Sequence, residues 1–140
     1  IGAGCHSTQL SGSTVFYQNV QFPLKNVPVV NIHSPQEIGQ ELRKQEGTAI
    51  LAMQGKAAPS YREVTALAEE ILHQTQAPVL LCLEQDMAKA LGQALAARTP
   101  KQTQILCIDR VKVSAGSYLD IGAPVASALP VVVKTLVLEQ

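Results

Sequence analysis

The sequence predicts an α/β fold: a mainly parallel sheet with βαβ crossovers, a short N-terminal β-hairpin and a C-terminal closing strand. Continuous apolar runs at Thr48 to Met53, Val79 to Leu83 and Gln104 to Ile108 read as strands covered on both faces. Between them lie segments whose apolar residues recur at helical spacing, opened by capping signals and followed by Gly, Thr or Pro. Such short connections imply parallel neighbours joined by right-handed crossovers.

Taken in order, Ser13 to Tyr17 and Val20 to Phe22 are β-prone runs separated by Gln18 and Asn19, and Asn tolerates the positive φ of a tight hairpin. Pro23 and Pro28 interrupt regular pairing, and Val29 to Ile32 reads as a strand. Ser34, Pro35 and Glu37 form a helix start with a capping box, the helix running to about Glu46 and ending at Gly47. Ser60 and Glu63 repeat the box ahead of Val64, Leu67, Ala68, Ile71 and Leu72, with an end near Thr75. Asp86 is the expected cap of a third helix whose apolar face is Met87, Leu91, Ala94 and Leu95, and Pro100 follows it. Beyond Asp109, Val111 to Val113 reads as a short strand, Ala115 to Pro124 as a Gly-containing loop and Leu129 to Leu138 as the closing strand. Asp120, between turn signals, is expected to accept backbone N–H bonds that fix that loop.

Composition narrows the function classes. With 46% hydrophobic and 16% charged residues in 140, the chain can bury a core of its own. Lys plus Arg, 11, equals Asp plus Glu, 11, and no basic patch with interleaved aromatics appears, which argues against nucleic acid. The longest apolar run, Ala123 to Val133, is broken by Pro124 and Pro130 and falls short of the roughly 20 residues that span a bilayer, so a soluble protein without membrane contact is expected. Cys5, Cys82 and Cys107 lack metal-ligand or disulfide-framework spacing. Cys82 and Cys107 lie in apolar runs as core thiols, which fits a reducing cytoplasm. Ile1 in place of an initiator Met, and a Gly-rich turn with no strand before it, suggest a piece of a longer chain.

The candidate binding residues are Gly2, Ala3 and Gly4. They follow an apolar residue, and Gly lets a ligand approach the main chain closely. From Ile1 to Gln36 there is no Asp or Glu and Lys25 is the one formal charge, so an anion would meet no repulsion. A dinucleotide fingerprint fails here, since no acidic residue follows at the required distance and the next residues do not make a helix. Cys5 beside His6 has no third group to orient a nucleophile and base. His33 and His73 are a loop residue and a helix-surface residue without ligand spacing, and no metal site is expected. Glu84 and Asp86 follow one strand and Asp109 another, and a paired-carboxylate reading makes them metal ligands or acid and base. Against it, Asp86 caps a helix while Glu84 and Asp109 are solvated strand-end groups or the lining of a small polar pocket.

The segments IGAGCHSTQLSGSTV, FPLKNVPVV, PVLLCLEQDMAKALGQAL and GSYLDIGAPVASALPVVVKTLVL resemble the C-terminal part of the EutA family, the ethanolamine ammonia-lyase reactivating factors of the actin/Hsp70-like ATPase superfamily. The runs Asp86-Met87-Ala88-Lys89 and Tyr118-Leu119-Asp120-Ile121-Gly122 carry the resemblance most specifically, and Ser117 departs from an Asp frequent in the family. What the resemblance implies is an ATP-dependent chaperone that releases damaged cobalamin from ethanolamine ammonia-lyase. Gly2, Ala3 and Gly4 match the superfamily turn that contacts adenosine, while ATP and Mg²⁺ would be bound mainly by a preceding part of the protein. The partners implied are ethanolamine ammonia-lyase and the rest of the same chain. The setting implied is the cytoplasm, with association to a bacterial microcompartment. These residues alone are expected not to hydrolyse ATP, and none is assigned as catalytic. Residues 1–33 would form the nucleotide-contacting turn and hairpin, and residues 34–140 an α/β domain. An interaction module with no ligand of its own is the alternative reading.

Overall fold

The computed structural model describes residues 3–9, 14–45, 47–76, 78–113, 116–125 and 129–138. In chain order the elements are β1 (Ala3–Gln9), β2 (Val15–Gln18), β3 (Leu24–Asn31), α1 (Ile38–Arg43), β4 (Ile50–Met53), α2 (Tyr61–Gln74), β5 (Val79–Leu83), α3 (Ala88–Ala97), β6 (Ile105–Ile108), β7 (Ser117–Ile121) and β8 (Val131–Leu138). The strands form one sheet in the order β1-β8-β7-β3-β4-β5-β6-β2. That sheet draws strands from both sides of the boundary expected at residue 33.

The apolar runs become the sheet centre because every side chain of β4, β5 and β6 is buried, and alternation sends successive residues to opposite faces. Val79, Leu81 and Leu83 meet residues of the helices, including Ile38, Ile71 and Leu91. Leu80 and Cys82 face a second cluster, which Leu119, Ile121 and Val131 of β7 and β8 complete. β3 to β6 run parallel, each pair bridged by one helix. On both flanks the ladders are antiparallel. The expectation of a mainly parallel sheet therefore holds for the centre alone, because β7 reaches β8 without the helical crossover that a parallel pair needs.

The first two helix starts follow their capping signals. Ser60 accepts from the Glu63 N–H at 3.1 Å while the Glu63 carboxylate accepts from the Ser60 N–H at 2.9 Å. At α1 a 3-10 turn, Pro35–Glu37, precedes the helix, and Glu37 accepts from the N–H groups of Ser34 and His33. Those bonds, His33 first, hold its carboxyl below the usual range.

Five expectations need correction. Residues 3–9 are a strand paired along its length with β8, where a turn is expected. The N-terminal hairpin does not form, because β2 pairs with β6 and so covers what would otherwise be an open edge. Asn19 does take φ 56°, but its amide donates to the carbonyls of Lys101 and Thr103, which ties the turn to the approach of β6. Asp86 does not cap α3, whose N-cap position is Met87. Val111 to Val113 form no strand, since Arg110 at φ 57° turns the chain and the Val111 N–H bonds to the Leu83 carbonyl at 3.0 Å. Residues 117–121 form β7 instead of a loop, with Ser117, Leu119 and Ile121 buried and Tyr118 and Asp120 half-buried. Asp120 accepts a backbone N–H as expected, from Asn26 at 2.7 Å, but across strands at the irregularity between Leu24 and Val27, and Lys134 pairs with it at 2.9 Å. Pro28 follows that irregularity, and the ladder to β4 begins only at Val29.

Cys82 and Cys107 are completely buried. Burial pushes the Cys82 thiol up to about 12 and raises Cys107 as well. In a Cys5→Ser variant the folded protein is therefore expected to give no rapid reaction with a thiol reagent at pH 8, and to react at both sites in denaturant. Rapid labelling of the folded form would contradict this packing.

Candidate functional site at the carboxyl edge of the parallel strands

Because β3 to β6 are parallel, they end on one edge, at Asn31, Met53, Leu83 and Ile108. Ligands of open α/β sheets lie beyond such ends. Two cavities lie there. One, of about 450 Å³, has a largely apolar wall that includes Pro35, Met53, Leu67 and Met87. The other, of about 350 Å³, is more polar and is lined by Asn31, Gln54, Glu84 and Lys112. His33, Met53 and Gln54 belong to both, so the cavities share a wall.

Local conformation shapes the apolar cavity. Gly55 takes φ +75°, and a Cβ there would come within 2.8 Å of the Met87 sulfur. The Lys56 N–H points at that sulfur from 3.5 Å. Lys56 also pairs with Glu63 on the rim, so these two charges offset each other.

Each helix start at this edge carries a carboxylate of this chain. Glu37 serves the start of the first helical segment and the Ser60–Glu63 box serves α2. At α3 the Ala88 N–H donates to Oδ2 of Asp109 at 3.0 Å. Asp109 is fully buried and also accepts from the Thr14 N–H at 2.8 Å and the Thr14 hydroxyl, so one carboxylate joins the ends of β2, α3 and β6. Burial pushes its carboxyl up, yet the bonds from Thr14 and Ala88 outweigh that and hold it below the usual range. Asp86 is exposed and pairs with Arg110 at 2.7 Å.

Of the two strand-end carboxylates, Glu84 lines the polar cavity and Asp109 does not. Sequence reasoning missed the role of Asp109. The signal available was an acid directly after a buried strand, although the helix start it serves has a nearer candidate cap in Asp86. Gly2 lies outside the described residues. Ala3 and Gly4 open β1, opposite Leu138 and Val137. The directions of the intervening strands put that end of β1 on the same edge as Asn31, but three ladders away from β3. Among the described residues no cluster of His, Cys, Asp and Glu could hold a metal ion, and no helix is long and apolar enough to cross a membrane.

A protein-family model described as "Ethanolamine utilisation protein EutA" matches residues 1–139. The chain belongs to the EutA family. It is 35% identical to the ethanolamine ammonia-lyase reactivase EutA of Salmonella typhimurium, over 97% of this chain and 32% of that protein. The corresponding reactivase EutA of Escherichia coli is 34% identical over the same shares. The chain thus spans about a third of the length of the curated EutA relatives it matches. No solved structure matches, so the EutA relationship rests on sequence.

Proposed function

We propose that this chain is part of an ATP-dependent reactivating chaperone that releases damaged cobalamin from ethanolamine ammonia-lyase. The observation that carries the reading is the EutA-family match across residues 1–139, with relatives that are named as reactivases of that enzyme. In this reading the main chain of Ala3 and Gly4 would meet one side of a purine. β1 is an outer strand with β8 on one side, its first residues are small, and a flat ring can lie against such backbone. ATP, when bound, would supply the free energy for opening and closing a cleft between this wall and the rest of the protein. Within the chain, the seven residue pairs of the β1–β8 ladder would carry a displacement of β1 into β8, and the β7 ladders would pass it on to β3. The carboxyl-edge helices would stay out of phosphate binding, since Glu37, Glu63 and Asp109 put a carboxylate at each of their starts. In this reading the protein works in the cytoplasm, in association with a bacterial microcompartment.

The test uses the full protein that carries this chain and an ammonia-lyase blocked with an inactive cobalamin. Recovery of deaminase activity is expected when the protein, ATP, Mg²⁺ and intact adenosylcobalamin are added, and none when ATP is omitted. A Gly4→Val variant is expected to weaken nucleotide binding about tenfold, or about 1.4 kcal/mol. Recovery that ignores ATP would overturn the energetic part, and unchanged affinity would remove Gly4 from the site.

A further inference from the structure

We propose a second ligand site, at the carboxyl ends of β3, β4 and β5, that takes a neutral nucleoside: a planar heteroaromatic ring bearing a vicinal diol, without phosphate. The apolar cavity supplies the ring site. Its volume of about 450 Å³ lies within the range of small-molecule sites, roughly 300–1,000 Å³. Its thioether walls, Met53 and Met87, suit the face and edge of an aromatic ring. The wall is preformed, because Gly55 leaves the space in which the Met87 sulfur sits.

The adjoining polar cavity supplies the diol site. The side chains of Glu84 and Gln54 make no hydrogen bond to other described residues, and a carboxylate at a strand end can accept from two neighbouring hydroxyls. Lys112 balances the charge of Glu84 in the same cavity, so a phosphate gains no net attraction. The helix N-termini at this edge already hold an acceptor each, Oγ of Ser60 for the Glu63 N–H of α2 and Asp109 for the Ala88 N–H of α3. The carboxylates Glu63 and Asp109 lie beside them and repel an anion. A site with that combination prefers the uncharged ligand to its phosphorylated form. The inference is independent of Ala3 and Gly4, which lie three ladders away.

The experiment is calorimetric titration of adenosine, 2′-deoxyadenosine and AMP into the full protein, with ATP and Mg²⁺ already saturating. Adenosine is expected to bind, and the deoxy compound and AMP each to bind about tenfold more weakly. Glu84→Gln, an exposed change that leaves folding intact, is expected to lower adenosine affinity and to erase its advantage over the deoxy compound. Gly4→Val is expected to leave adenosine binding unchanged, which separates this site from the one in the preceding reading. The methyl resonances of Met53 and Met87 should move with adenosine through the ring current. Absence of adenosine binding, AMP binding as tightly as adenosine, displacement by ATP, or a Glu84→Gln variant with unaltered discrimination would each overturn the assignment.

Discussion

Replacing Asp109 with Ala is expected to lower the free energy of unfolding by about 3–5 kcal/mol in urea denaturation. Its carboxylate is fully buried and receives the Thr14 N–H, the Thr14 hydroxyl and the Ala88 N–H. A hydrogen bond to a charged group is worth about 1.5–3 kcal/mol, and donors left without an acceptor add their own desolvation cost. Asp109→Asn should recover little, because a planar amide turns an N–H₂ group toward donors. The pH dependence has a definite sign. The folded carboxyl titrates below its ordinary value of 3.8, so the unfolded chain binds the proton more readily. Stability from this group is therefore present in full above about pH 4 and is lost as pH falls through the folded value. The Ala variant should show a flatter acid limb than the parent. A loss below about 1 kcal/mol, or an unchanged acid limb, would mean that the carboxylate does not hold the three elements together.

Gly92→Ala is expected to destabilise the protein by about 1–2 kcal/mol, although the same change in an exposed helix would stabilise by up to about 1 kcal/mol. A Cβ at Gly92 would lie 2.3 Å from Cγ of Phe16 and 2.6 Å from its Cβ. Those atoms form the root of the side chain, so the ring cannot swing away while β2 keeps its pairing with β6. In a double-mutant cycle, Phe16→Leu should cost less in the Gly92→Ala background than in the parent, with a coupling energy above about 0.5 kcal/mol. Additive effects, or a more stable Gly92→Ala protein, would show that the helix and the strand do not meet so closely.

The central strands and the helices were legible because burial on both faces, the capping boxes of α1 and α2 and the apolar spacing of α3 are local signals. Thr48 to Met53 lacks polar residues after its first position, and Ser60 with Glu63 states a helix start in four residues. The flanks were not legible, since their pairing is decided by distant partners. Val15 to Gln18 looks the same whether it turns back on residues 20–22 or finds β6, and only the open edge of β6 decides between them. The alternation in Ser117 to Ile121 was hidden by Gly116 and Gly122, which read as a loop. At the site, Glu84 could be placed at a strand end from sequence, but Asp109 could not be assigned to Thr14 and Ala88. Spacings of 95 and 21 residues leave no local trace.

The register that sets Ala3 opposite Leu138 joins residues from nearly the whole span of the chain. The parallel units, by contrast, are made of neighbours in sequence and close short loops. Closing a long loop costs more entropy than closing a short one, so the β1–β8 ladder carries the largest closure cost among the described pairings. The strand proposed to meet the purine is thus the one whose docking costs most in loop entropy, and the one a nucleotide could favour most by holding it in place.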